Sequence, residues 1–204
     1  MIVAIVKYGM GNVASVQKVL KKIGYESIIT DDHNEIMKAD MILLPGVGSF
    51  KKGMENLIEL GLVDLLTEEV VIKKKPFLGI CLGMQLVATK GEEPENTKGL
   101  GWIDGEVVKM QTSKKFRVPH LGWNTVKNKK VNKLYEPFDG QDYYFIHSYH
   151  FKADNQNEVT LTVDYDGEMV AALQKDNINV MQFHPEKSQE FGMKLLKSVL
   201  EQYA

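Results

Sequence analysis

A chain of 204 residues, 44% apolar and 25% charged with a formal net charge of -2, has the make-up of a globular protein with a full-sized core. That balance gives no electrostatic reason to expect nucleic acid as a partner, and a single cysteine excludes a disulfide within the chain and fits a reducing, cytoplasmic setting. The apolar opening meets Lys7 too early for a signal-peptide core or a membrane span, and no CxxC or HExxH string suggests a metal, so no cofactor is expected.

Residues 2–6 are apolar and β-branched and read as a buried first strand. The loop Tyr8-Gly9-Met10-Gly11-Asn12 follows, with Asn12 as N-cap of a helix whose apolar positions are Val13, Val16, Val19, Leu20 and Ile23, and Gly24 closes it. Gly9 and Gly11 make a weak dinucleotide loop, because Ala14 replaces the third glycine and Asp31 and Asp32 read as turn formers. His33 lies in a polar turn. Further strands are expected at 27–30 and 41–44, the second ending in Pro45-Gly46-Val47-Gly48-Ser49-Phe50. Helical patterning covers 52–74 with a break near Gly61, and Lys73, Lys74 and Lys75 suit the end of that helix. Residues 76–80 form the next strand. Apolar strands alternating with amphipathic helices predict an α/β fold with a mostly parallel central sheet flanked by helices.

The second half reads as short strands, at 107–108, 124–126, 143–146, 159–163, 170–173 and 178–183, extending the sheet or forming an antiparallel patch beside it. Tyr143-Tyr144-Phe145 reads as core, Trp123 as core or an exposed contact, and 127–130 as a solvated turn. A closing helix is capped by Ser188 and carries an apolar stripe of Phe191, Leu195, Leu196, Val199 and Leu200. Neither a repeat nor a linker is visible, so 1–204 is expected to be a single domain.

Cys81 sits in the frame Gly79-Ile80-Cys81-Leu82-Gly83, the thiol form of a nucleophile elbow at a strand-to-helix turn. A lone cysteine is more often a small buried hydrophobe; the glycine frame and the helix after it reverse that expectation. About a hundred residues later His184-Pro185-Glu186 supplies an imidazole and a carboxylate, completing the parts of an acyl-transfer triad. His120 and His147 compete with His184 as pocket histidines. The N–H of Leu82 with that of Val47 or Gly48 fits an oxyanion hole, against the bland reading of an ordinary turn. Cys81, the 46–48 loop, the 8–12 loop and His184 all follow predicted strands, and in a parallel sheet all four meet at one rim.

The strings Tyr8-Gly9-Met10-Gly11-Asn12, Leu44-Pro45-Gly46-Val47-Gly48, Gly79 to Gln85, Pro119-His120-Leu121-Gly122-Trp123-Asn124, His147-Ser148-Tyr149 and Gln182 to Ser188 together resemble the class I (triad) glutamine amidotransferases. The nearest branch is the glutaminase subunits of imidazole glycerol phosphate synthase in histidine biosynthesis. The resemblance implies that Cys81 attacks the glutamine side-chain amide, with His184 as base and acid and Glu186 as its holder. Water then releases glutamate from the thioester. It also implies that the strand 45–48 rearranges to form the oxyanion hole. Gly46, Gln85, Glu93, His147, Ser148 and Tyr149 line or hold the glutamine pocket, with Glu93 on the substrate ammonium and Glu92 as its rival. The implied partner is a (β/α)8 cyclase in a heterodimer, taking ammonia through its barrel to make imidazole glycerol phosphate and AICAR. Asn12, Leu121, Trp123, Tyr144 and Lys187 are implied at that interface. Lys7 stands where the family more often has Asp, and His150 follows Tyr149 where many relatives have another aromatic. Three alternatives stay open: the same module feeding another synthase such as a sugar amidotransferase, a stand-alone cysteine hydrolase, and a catalytically silent regulatory module.

Overall fold

The computed structural model describes residues 1–204. Its first half alternates as the patterning predicts: β1 (Ile2–Val6), α1 (Val13–Lys22), β2 (Glu26–Thr30), α2 (His33–Lys38), β3 (Met41–Gly46), α3 (Phe50–Glu59), α4 (Leu62–Thr67) and β4 (Phe77–Cys81). After α5 (Leu82–Leu86) come the short strands β5 (Lys90–Gly91) and β6 (Thr97–Lys98), then β7 (Gly105–Lys109), β8 (His120–Asn128), β9 (Asp142–His147) and β10 (Tyr149–Ala153). The chain finishes with β11 (Val159–Asp164), β12 (Glu168–Lys175), β13 (Ile178–Met181) and α6 (Gln189–Glu201).

Nine strands form one sheet in the order β2-β1-β3-β4-β13-β12-β11-β8-β9. Pairing is parallel from β2 to β13 and antiparallel from β13 to β9. A second sheet, β10-β7-β5-β6, stands apart. The later strands therefore do both things left open by their patterning: they extend the main sheet and build a patch beside it.

Successive strand residues face opposite ways, so a strand covered on both sides must be apolar throughout. Ala4, Val6, Ile42 and Leu44 enter one core with Leu57, Leu62 and Leu66 of α3 and α4. Val3, Ile5, Met41 and Leu43 enter the other with Val16 and Leu20 of α1 and the Leu195–Leu200 stripe of α6. Each such Val, Leu, Ile or Met side chain contributes roughly 1.5–3 kcal/mol when fully buried.

Several expectations are corrected. His33 is not in a turn but opens α2, which Asp32 caps by accepting from the Glu35 N–H at 3.0 Å. A six-residue helix is too short to show a full apolar period, and only Ile36 is buried in it. The 52–74 helix divides into α3, α4 and a π-helical turn at Glu68–Ile72, where buried Glu69 pairs with Lys73 and Lys75 at 2.7 and 2.8 Å. Lys127 lies inside β8 rather than in a turn. Phe191 leaves the α6 stripe and is exposed, and Tyr144 is only half buried between the core residues Tyr143 and Phe145; Trp123 takes the exposed one of its two readings. Ser188 holds the N-cap position of α6, but its side chain makes no cap bond; its hydroxyl donates to the His184 carbonyl at 2.6 Å and accepts from the Tyr144 N–H at 3.0 Å. No helix is long and apolar enough to cross a membrane.

Candidate active site

Strands β1, β3, β4 and β13 are neighbours and parallel, so the loops at their carboxyl ends share one rim. Cys81 closes β4 directly opposite Gly46 of β3, and Met181 of β13 pairs with Ile80. Register therefore brings the sulfur, the 46–48 loop and the approach to His184 together.

The elbow is strained. Cys81 has φ 54° and ψ -106°, a conformation disfavoured for a residue with a β-carbon by of order 1–3 kcal/mol. Its two flanking glycines hold it there by close approach. A β-carbon on Gly83 lies 1.8 Å from the Leu44 carbonyl oxygen, and one on Gly79 lies 2.7 Å from that of Gly83. The strand therefore turns at once into α5 and lifts the thiol to the rim.

His184 is set from both ends of its backbone, its N–H on the Tyr144 carbonyl at 2.9 Å and its carbonyl under the Ser188 hydroxyl. Its Nδ1 donates to Glu186 Oε1 at 2.7 Å, and both side chains are buried. That bond keeps a proton on Nδ1, and Nε2 has no hydrogen-bond partner. Burial alone pulls the ring's pKa down; the Cys81 sulfur, when ionised, and the Glu186 carboxylate outweigh burial and push it up to about 9.

A cavity of about 330 Å³ opens beside the sulfur, lined by Val47, Gly48, Cys81, Leu82, Gln85, Glu93, His147, Ser148 and Tyr149 among others. Gly46 lies behind it, under Leu82 and the Tyr8 hydroxyl. Of the two neighbouring glutamates, Glu93 faces the cavity and accepts from the Phe50 N–H at 3.3 Å; burial holds its pKa above the usual carboxylate range. Glu92 turns away to the Lys109 N–H at 2.5 Å. A larger groove of about 850 Å³ lies between α1 and β2 and includes none of these residues.

The glutamine amidotransferase class-I family model matches residues 4–202. This chain belongs to the class-I glutamine amidotransferases. It is 48% identical over 201 residues to imidazole glycerol phosphate synthase subunit HisH 2 of Methanococcus maripaludis, covering 98% of this chain and 99% of the relative. It is 46% identical over 199 residues to imidazole glycerol phosphate synthase subunit HisH 1 of Campylobacter jejuni, covering 97% and 98%. Its fold matches the crystal structure of a glutamine amidotransferase from Thermotoga maritima with a TM-score of 0.70 at 16% identity, covering 100% of this chain and 97% of that one.

Three features of this amidotransferase were not evident from motif spacing. First, two histidines stand in series behind the pocket. The Tyr149 carbonyl accepts from His147 Nδ1 at 2.9 Å, so His147 Nε2 is the acceptor for His120 Nδ1 at 3.1 Å. Both rings stay neutral, burial holding the His147 pKa down at about 3 and that of His120 at about 4. Unfolded, they take up protons near pH 6.5. Each therefore contributes stability present above that pH, and it is lost on acidification, at about 1.4 kcal/mol per pH unit between roughly 6 and 4. His120→Gln keeps a donor for His147 and is expected to flatten the stability–pH slope by about that amount, read by urea unfolding at pH 5 and 6. Equal slopes in the two proteins refute the neutral pair.

Second, Leu121 and Trp123 alternate with buried His120 along β8, and their cross-strand partners on β9 are Ile146 and Tyr144. The four make an exposed apolar patch at the sheet's end, with Lys187 Nζ 5.6 Å from the centre of the Tyr144 ring. Asn12 is exposed at its own loop, where its side-chain oxygen caps α1 through the Ser15 N–H. Third, the patch adjoins the thiol: Ile146 presents its side chain outward and its carbonyl 3.9 Å from Cys81 Sγ. Only pairing of β8 with β9 reveals this link; its faint sequence signal is an apolar residue between two buried ones.

Proposed function

We propose that this chain is the glutaminase subunit of an imidazole glycerol phosphate synthase in histidine biosynthesis. It hydrolyses glutamine and passes ammonia to a cyclase subunit that makes imidazole glycerol phosphate and AICAR. The observation that carries the reading is the strained Cys81 at the mouth of the 330 Å³ cavity, beside a buried histidine already held by Glu186. Nearly full-length similarity to subunits bearing that name supports the choice of partner.

The geometry supports the following reaction. Glu186 holds the His184 ring's pKa up against burial, which suits Nε2 to take the Cys81 thiol proton. Cys81 Sγ attacks the amide carbon of glutamine, and the carbonyl π electrons move to oxygen. Backbone N–H groups of Leu82 and of Val47 or Gly48 receive that oxyanion, each worth roughly 3 kcal/mol in comparable sites. The C–N bond breaks as His184 Nε2 protonates the leaving nitrogen, releasing ammonia. Water then loses a proton to His184 Nε2 and attacks the thioester carbon; the C–S bond breaks, which returns Cys81 as thiolate and frees glutamate. Glu93 holds the substrate ammonium; Gln85, His147, Ser148 and Tyr149 shape the pocket floor.

Ammonia is a nucleophile only while unprotonated, so release into neutral water wastes most of it as ammonium. A partner seated on Leu121, Trp123, Tyr144 and Lys187 covers the rim beside Cys81 and takes ammonia directly. A (β/α)8 cyclase in a heterodimer, working in the cytoplasm, is the reading adopted. The test measures glutamate release by the purified chain alone and with a cyclase subunit bearing its acceptor ligand. A stimulation of about 100-fold or more is expected for a site completed by its partner. Full turnover without any partner, or cleavage of peptide esters in preference to glutamine, overturns the proposal.

A further inference from the structure

Between β13 and His184 lies a polar side chain that the reaction as written does not use. Gln182 is fully buried in an otherwise apolar run, where an unpaired amide is strongly destabilising. Its oxygen accepts from Gln85 Nε2 at 3.1 Å, and its own nitrogen lies 3.7 Å from Cys81 Sγ. Gln85 Nε2 also donates to the Tyr149 carbonyl at 2.9 Å.

The direction of this relay is not free. The Tyr149 carbonyl can only accept, so Gln85 must turn its NH2 group towards it. The second hydrogen of that nitrogen goes to Gln182, which therefore offers its oxygen to Gln85 and its NH2 to the sulfur. His147 Nδ1 grips the same Tyr149 carbonyl and keeps the anchor in place. On its other side Cys81 Sγ meets the Ile146 carbonyl, also an acceptor only. Besides His184, which exchanges its proton, the two forms of the sulfur thus have different partners. The neutral thiol donates to Ile146, and the thiolate accepts from Gln182. Hydrogen bonds to a charged group are about twice as strong as neutral ones, so ionisation favours the Gln182 side.

We propose that Gln182 is a further catalytic residue, whose side-chain N–H, aimed by Gln85 and the Tyr149 carbonyl, holds the Cys81 sulfur in its thiolate form. This rests on the reading of Cys81 as the nucleophile. It accounts for an amide at a position where a leucine would pack without needing a partner.

The test is alkylation of the full chain by iodoacetamide, since the thiolate is the reacting form. Gln182→Met removes the donor at similar length, and Gln182→Glu replaces it with an acceptor. Both are expected to slow alkylation at pH 7 by about tenfold, the scale of one lost bond to a charged group. At pH 10, where a reachable thiol is ionised, the rates converge with the wild-type rate. Unchanged rates at pH 7, or equal slowing at both pH values, overturn the proposal; the second outcome marks a loss of access alone.

If neither variant folds, the wild-type protein still decides. The side-chain amide resonances of Gln182 are expected to shift with the ionisation of Cys81 and to lose that inflection in Cys81→Ala. Resonances that stay flat in the wild-type protein overturn the proposal. Alkylation needs no glutamine and no partner. A chain that never hydrolyses glutamine yet shows Gln182-dependent alkylation therefore refutes the proposed function and retains the donor.

Discussion

Cys81→Ala is expected to lower glutamine hydrolysis by at least about 10⁴-fold while leaving ammonia-driven synthesis by the partner intact. Loss of a nucleophile removes the covalent route altogether, and what remains is catalysis by the oxyanion donors and binding. The backbone at 81 is strained for any residue with a β-carbon, so alanine inherits the same strain and the fold changes little. A melting temperature close to that of the wild-type protein separates loss of chemistry from loss of structure. The measurement pairs glutamate release with product formation from an ammonium salt. If glutamine-driven synthesis survives the substitution, the thiol is not the nucleophile; if ammonia-driven synthesis also collapses, the residue serves the assembly rather than the reaction.

Glu186→Gln is expected to reduce turnover by roughly 10²–10⁴-fold with little change in the apparent affinity for glutamine. Glu186 accepts from His184 Nδ1 and so fixes the tautomer that leaves Nε2 to exchange protons with sulfur and ammonia. An amide can present N–H to Nδ1 instead, and the ring then carries its proton on the wrong nitrogen. The same substitution alters pH dependence. Burial pulls the His184 ring's pKa down, while the Cys81 sulfur and the Glu186 carboxylate hold it up. Without the carboxylate, one of the two groups that hold it up is gone and the ring's pKa falls. NMR titration of the His184 ring checks it, and an unchanged midpoint shows that Glu186 does not hold the ring's charge.

Much of this molecule is legible locally. The elbow is recognisable because only glycine fits 1.8 Å from the Leu44 carbonyl, so the constraint is written into residue type. The parallel strands are recognisable because burial on both faces demands unbroken apolar runs such as 41–44. The α1 cap at Asn12 is equally local. Elements with little periodicity were lost: α2 is six residues long, and β5 and β6 have two residues each. Ser188 looked like a cap because the residue type suits one, yet a tertiary demand from His184 and Tyr144 takes its hydroxyl.

The amino-acid order alone determined that a thiol stands at a strand-to-helix turn, that an imidazole and a carboxylate lie two residues apart, and that strands and helices alternate. Those are properties of residue type and short spacing, and short-range sterics settle them. Sheet order and register decided the rest. They set Gly46 opposite Cys81, selected Glu93 over Glu92 for the cavity, turned Leu121, Trp123, Tyr144 and Ile146 to one exposed face, and aimed the Gln85–Gln182 relay at the sulfur. Such contacts join residues up to about a hundred positions apart. Their geometry depends on which strands pair and in what phase, and a shift of one residue reverses every side chain in a strand.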